Sequence, residues 1–288
     1  MNAQLRTGTP ASPDLAGLLA RQRAAHAANP PDYAQRIDDL KRLRAAFKAA
    51  LPSLVEAVAA DFGRRSRHES LIADGMTVLH DIDYALSNLR HWMKPQPARV
   101  GTTFWPARAE VRHQPLGVIG VISPWNYPVN LALMPVTAAL AAGNHVMLKP
   151  SEQTPRTSAA IAKLCAALFP PERVAVIEGD ASVAQAFSEL PFDHIFFTGS
   201  TAVGRLVMMA AAKNLVPVTL ELGGKSPAIL APDFSVETFA NRIATGKFFN
   251  AGQTCIAPDY VLLPRAQVEP FLDALRRAVV GAYDPPGA

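Results

Sequence analysis

Cysteine is scarce: the chain of 288 residues holds two, Cys165 and Cys255. One optional bridge between such distant positions is no secreted disulfide framework, so a reducing cytoplasmic setting is expected. Glycine numbers only 17 and does not recur at every third position, which excludes collagen. No heptad period is present, which excludes a coiled coil. Blocks of one charge sign are also missing. Lys and Arg total 28 against 24 for Asp and Glu, a small excess that suits anionic ligands and argues against nucleic acid as a partner. Long apolar runs are absent as well. The most apolar stretch, Leu131 to Leu148, is interrupted by Pro135, Gly143, Asn144 and His145. It reads as helix, turn and strand, and no membrane partner is expected. The first fifteen residues lack the apolar centre of a signal peptide. The seven histidines form no His-Glu-x-x-His and no cluster with cysteine, so no metal site is expected. His113, His145 and His194 flank strands and read as structural.

What is present is a globular composition, 49% hydrophobic and 18% charged, with a mean hydropathy of +0.10. A disordered chain would be far more polar. The length suggests two domains of roughly 150 residues. Residues 1–94 read as helical, with a long run from Tyr33 to Ala60 ended by Gly63 and a second helix from Ser70 to Met93. Pro95 and Pro97 stop it. Two short extended segments, Arg99 to Pro106 and Ala109 to His113, suggest a hairpin arm over 98–114 that leaves the main body; exposed strand pairs of this kind often join a partner subunit. From Gly117 apolar strands alternate with helices, the pattern of a parallel α/β sheet. The strands are expected at Val118–Ile122, His145–Leu148, Val174–Ile177, His194–Phe197 and Val218–Leu222. A tight Gly223-Gly224 turn then opens a second α/β unit near 222. That unit holds about two strands and two helices, too few to cover both faces of a sheet, and the chain reads as the front part of a longer protein.

Five segments carry candidate chemistry. Phe197-Thr-Gly-Ser-Thr-Ala-Val-Gly204 joins a strand to a helix, where backbone N–H groups receive phosphate and glycines let it approach. Arg205-Leu206 in place of Lys-Ser/Thr disfavours a nucleoside triphosphate, and a plain strand–helix turn remains open. Lys149-Pro-Ser-Glu152 ends a strand; a Lys and a Glu together can hold a ribose diol, or Glu152 can simply favour a helix N-terminus. In Ser123-Pro-Trp-Asn-Tyr-Pro128, Pro124 and Pro128 fix the backbone around Trp125 and Asn126, so that the Asn126 amide can meet an oxyanion. The same segment also reads as a proline-rich turn with an aromatic filler. Cys255, in Phe249-Asn-Ala-Gly-Gln-Thr-Cys-Ile256, is a candidate nucleophile or a small buried hydrophobe. Cys165 lies on a plain helix face and fits the buried reading. Glu221, before Gly223 and Gly224, is expected to have a raised pKa in an apolar strand, as a general base needs, or else to pair with Lys225.

Taken together, the order Pro-Trp-Asn, Lys-Pro-Ser-Glu, Phe-Thr-Gly-Ser-x-x-x-Gly, Glu-Leu-Gly-Gly-Lys and Gly-Gln-x-Cys resembles the aldehyde dehydrogenase superfamily. Glu221 and Cys255 lie 34 positions apart, also as in that family. Asp61-Phe-Gly-Arg-Arg-Ser66 and Gly252-Gln-Thr-Cys-Ile-Ala-Pro-Asp-Tyr260 look like its class 3 branch and the coniferyl aldehyde dehydrogenases within it. The resemblance implies a Rossmann-type parallel sheet domain over 1–221 and an incomplete catalytic domain over 222–288. It implies NAD-dependent oxidation of an aldehyde to the acid, with NADP as the alternative cofactor. Cys255 would be the nucleophile, Glu221 the base and Asn126 the oxyanion donor. Lys149 and Glu152 would hold the ribose, and Ser200, between Gly199 and Gly204, the pyrophosphate, with Pro124 and Trp125 beside the cofactor. The hairpin would be the arm of a homodimer. A further cofactor-positioning Glu of the family falls beyond residue 288. Two other readings stay open: an inactive cofactor-binding module, and a CoA-acylating enzyme in which a thiol resolves the thioester.

Overall fold

The computed structural model describes residues 14–283. Helix α1 (Leu15–Ala28) precedes α2 (Tyr33–Phe62), which ends at Gly63 with φ +77°. The helix expected over 70–93 is instead α3 (Arg67–Ser70), a π-turn (Leu71–Met76) and α4 (Thr77–Trp92). Strands β1 (Gln96–Ala98) and β2 (Ala109–Val111) pair antiparallel, Gln96 opposite Val111. The arm is therefore a hairpin, but Arg99–Pro106 is its loop rather than its first strand. Pro97 tolerates the strand because this two-stranded pair is all edge.

The central sheet holds β3 (Val118–Ile122), β4 (His145–Lys149), β5 (Val174–Val176), β6 (His194–Thr198) and β7 (Val218–Glu221) in the order β5-β4-β3-β6-β7, all parallel. Between them run α5 (Asn130–Ala141), α6 (Pro155–Leu168), α7 (Ala181–Ser188) and α8 (Thr201–Ala212). Helix α5 begins one residue before the apolar stretch that starts at Leu131 and carries Pro135 within it. Successive side chains along β3 face opposite ways, as the period of two requires. Ile119 and Val121 join Leu43, Phe47, Ile82, Leu133 and Ile161 on one face. Val118 and Ile122 join Leu19, Phe187 and Val207 on the other. Both faces are thus covered by helices.

After β7 the chain passes through Gly223 and Gly224 without the expected tight turn. It then forms β8 (Ser226–Ile229), α9 (Val236–Phe248), β9 (Pro258–Leu262) and α10 (Val268–Tyr283). Strands β8 and β9 pair parallel as a separate two-stranded sheet. Their core is small: Leu230, Phe239, Ala240, Phe271 and Ala274. No described helix is long and apolar enough to cross a membrane, and no group of three His, Cys, Asp or Glu among the described residues is placed to hold a metal.

Candidate active site

Strand register brings the motifs to one edge. Ile122 pairs with Lys149 on one side and Phe197 on the other, and Thr198 pairs with Glu221. All four strands run the same way, so the segments after Ile122, Lys149, Thr198 and Glu221 leave the sheet side by side. The chain winds outward in one direction through β4 and β5 and in the other through β6 and β7. The reversal between β3 and β6 is where open α/β sheets bind ligands.

Lys149 is buried, and its Nζ donates to the Pro150 carbonyl at 2.8 Å and to Glu152 Oε2 at 3.1 Å. Partial desolvation pushes the Glu152 carboxyl up. A local backbone N–H and the neighbouring Lys149 ammonium outweigh it and hold the group below its ordinary range. Ser200 caps α8, its Oγ accepting from Val203 N at 3.3 Å. A Cβ on Gly199 would meet the Phe197 ring at 2.5 Å, and one on Gly204 would meet Leu222 at 2.8 Å. Both glycines let this turn lie close on the strands. Trp125 stands 6.1 Å from the Phe62 ring, and Pro124 is half-buried before it.

Cys255 is exposed, in contrast to Cys165, whose thiol burial pushes up to about 12. The loop before Cys255 takes an uncommon path. Asn250, Ala251 and Gly252 have φ of 50°, 54° and 78°, a left-handed run that costs energy at the alanine and concentrates at functional sites. It is fastened to the segment after β3. Asn126 Nδ2 donates to the Gln253 carbonyl at 2.9 Å, and Asn250 Nδ2 to the Asn126 carbonyl at 2.9 Å. Tyr127 Oη and Thr254 Oγ1 lie 2.5 Å apart. From the other side Gly224 meets the Cys255 backbone; a Cβ there would come within 2.9 Å of the Cys255 carbonyl oxygen. The structure thus ties the Cys255 loop to Asn126 on one side and brings Gly224, three residues after Glu221, against it on the other.

Two expectations for Glu221 are corrected. It is exposed at the end of β7 rather than enclosed by an apolar strand, and two residues on nothing lies within 4 Å of a Cβ on Gly223. Nor does it pair with Lys225, which reaches Asp259 at 3.1 Å instead. His194 and His145 take structural positions: His194 Nε2 bonds Thr219 Oγ1 at 2.9 Å, and buried His145 packs edge-on against His26 at 5.0 Å. Residue-by-residue reading missed Arg65, Asp74, Tyr127, Asn250 and Thr254. Arg65 and Asp74 form an ion pair at 3.0 Å, each side chain 2% exposed. Burial pushes the Asp74 carboxyl up, against Arg65 and two backbone N–H groups. The only sequence signal was two adjacent arginines after a helix-ending glycine.

A doubly wound, all-parallel five-stranded sheet with the exposed Cys255 loop fastened to the segment after β3 defines the class: an α/β protein with a Rossmann-type sheet. The profile of the aldehyde dehydrogenase family matches residues 3–282, and the chain belongs to that family. It is 53% identical over 270 residues to a protein of Pseudomonas aeruginosa described as "probable coniferyl aldehyde dehydrogenase", covering 93% of this chain and 57% of that one. Among solved structures it is similar to the substrate-bound state of Staphylococcus aureus AldH, with a TM-score of 0.88, 34% identity, and coverage of 93% of this chain and 58% of that one. The NAD+ complex of aldehyde dehydrogenase from Bacillus cereus superimposes with a TM-score of 0.81 at 29% identity, covering 90% and 53%. The chain spans little more than half the length of these relatives.

Proposed function

We propose that this chain holds the cofactor-binding part and the reactive cysteine of an enzyme that oxidises an aldehyde to its carboxylic acid. The observation that carries this reading is the fastening of the exposed Cys255 loop to Asn126 through the Gln253 carbonyl. Residues 1–221 serve the cofactor and residues 222–288 begin the catalytic part.

The residues along this sheet edge suit a dinucleotide. Lys149 Nζ has three protons and spends two on Pro150 and Glu152, leaving one for a ribose hydroxyl, while Glu152 accepts from another. The N-terminus of α8, at Ser200 between Gly199 and Gly204, suits the pyrophosphate, and Pro124 and Trp125 flank the remaining ring. NAD is the preferred cofactor, because the Glu152 carboxylate repels a 2′-phosphate; NADP is the alternative. Bound there, the cofactor would accept the hydrogen of the substrate carbon as hydride, which carries the two electrons of the oxidation.

The chain's own residues do the rest. Cys255 thiolate adds to the aldehyde carbon, and the carbonyl pair moves onto oxygen. One Asn126 N–H is held by Gln253; the second, with the Cys255 backbone N–H, meets that oxyanion. Losing one such donor typically costs ~100–1,000-fold in rate. Oxidation leaves a thioester on the sulfur, which splits one hard step into two. Glu221 takes a proton from water, the hydroxyl adds to the thioester carbon, and the sulfur leaves as thiolate. The exposure of Glu221 leaves it open to that water. An aromatic aldehyde such as coniferyl aldehyde is the substrate class supported by the name of the 53% identical relative. A homodimer is supported by the hairpin, where Phe104 and Trp105 are exposed.

The test is product analysis with Glu221→Gln in the natural full-length protein. Acid release should fall at least ~100-fold while the acyl group remains on the protein. Undiminished acid formation would contradict the role of Glu221, and acyl-CoA formed only with added CoA would favour the thiol-resolving enzyme.

A further inference from the structure

We propose that Arg65, locked to Asp74, is the positioning residue that aims the Asn126 carboxamide, an inference that rests on the function proposed above. Gly63 ends α2 with φ +77°. The chain turns there so that Arg64 stays exposed and Arg65 enters the interior. Its guanidinium lies between two rings, 4.9 Å from Phe62 and 5.0 Å from Tyr127. Nη1 donates to the Asn126 carbonyl at 3.1 Å, and Nη2 stands 3.0 Å from Asp74 Oδ2. The other Asp74 oxygen accepts from Val129 N at 3.2 Å and Asn130 N at 2.9 Å. One ion pair thus grips both ends of the Asn126–Asn130 turn, ahead of α5.

The need for such a grip follows from the turn itself. Asn126 is preceded by Pro124 and followed by Pro128, which lack N–H groups that could tie the turn to a neighbour. Its side chain must keep one N–H on Gln253 and the other free. Only a planar fork can reach a carbonyl and a carboxylate at once while stacking on two ring faces; an ammonium cannot. Stability does not explain the pair. Two charges at 2% exposure cost desolvation that their attraction roughly offsets, and an apolar replacement is often as stable. The ion pair holds the guanidinium in place, and Nη1 makes the directed contact with the turn.

The experiment is a double-mutant cycle in the natural full-length protein, with NAD+ and an aromatic aldehyde. Arg65→Lys should lower kcat about 10–100-fold, the scale of a misplaced catalytic group, with the NAD+ dissociation constant changed less than ~2-fold. On the Asn126→Ala background the same substitution should have no further effect. The pair Arg65→Gln with Asp74→Asn leaves no lone buried charge and should lose kcat to the same extent, which covers the case that Arg65→Lys fails to fold. An equal loss on both backgrounds, or no loss of kcat, overturns the proposal. Should the unaltered protein oxidise no aldehyde, the functional reading fails by itself. The side-chain amide resonances of Asn126 in asparagine-labelled protein then decide: movement on Arg65→Lys supports positioning, and an unmoved pair overturns it.

Discussion

A Cβ on Gly224 would come 2.9 Å from the Cys255 carbonyl oxygen, closer than side-chain carbons approach backbone. Gly224→Ala must therefore push the cysteine loop outward. The expected result is a fall in kcat/KM of about tenfold or more, with a thermal midpoint little changed because the site is exposed. Steady-state kinetics and a melting curve separate the two effects. His145 gives a pH prediction. Burial, then the charge of Arg173, then His26 lower its pKa to about 4, below the unfolded value of about 6.5. The unfolded chain therefore takes up the proton first. Stability from this group is full above about pH 6.5 and is lost as pH falls towards 4, up to about 3 kcal/mol in all. Urea titrations at about pH 7 and 4.5 should show that decline, and His145→Gln should flatten it; a decline of the same size in the variant would contradict the assignment. Among single residues, motif order anticipated that Asn126 and the Cys255 loop lie together, and the structure has them hydrogen-bonded. Glu221 was misjudged because its exposure depends on what the chain does after Gly223.

At the scale of elements, the end of α2 organises more than its own helix. Asp61 Oδ2 accepts from Thr157 N and Thr157 Oγ1, both at 2.8 Å, and Oδ1 from Arg156 N at 3.2 Å. One carboxylate from α2 thus caps α6 across the interface. Asp61→Ala should cost about 1–2 kcal/mol, read as a lower urea midpoint, while Asp61→Asn should cost less. The strands of the central sheet were legible to within a residue or two, since each is a short apolar run closed by polar residues; the first hairpin strand, Gln96–Ala98, was not, because it is neither apolar nor alternating. Helix starts were less so. Asn130–Met134 contains Asn130 and precedes Pro135, which hides the first turns of α5. The structure supplies the cause: Asp74 holds the N–H groups of Val129 and Asn130 from outside the segment. Likewise nothing local marks the π-turn at Leu71–Met76.

At the scale of the molecule, the sheet order β5-β4-β3-β6-β7 turns motifs spread over more than a hundred positions into neighbours. The resemblance implied a Rossmann-type parallel sheet, but the order of its strands was not read from the sequence, because periodicity yields strands and not their sequence in space. The β8–β9 unit differs from the central sheet in its exposure. Ile229 is 69% and Ile256 77% exposed, an apolar surface that a soluble chain normally covers. The 288-residue chain should enhance the fluorescence of an apolar dye, and Ile229→Ser with Ile256→Ser should reduce that signal; equal signals would place the dye elsewhere.

The most direct measurement is peptide mass spectrometry of Glu221→Gln natural full-length protein quenched during turnover with aldehyde and NAD+. An acyl mass should appear on the peptide that contains Cys255, and on no peptide that contains Cys165. Steady NADH formation with the Cys255 peptide unmodified, or retained turnover in Cys255→Ala, would contradict nucleophilic attack by this sulfur.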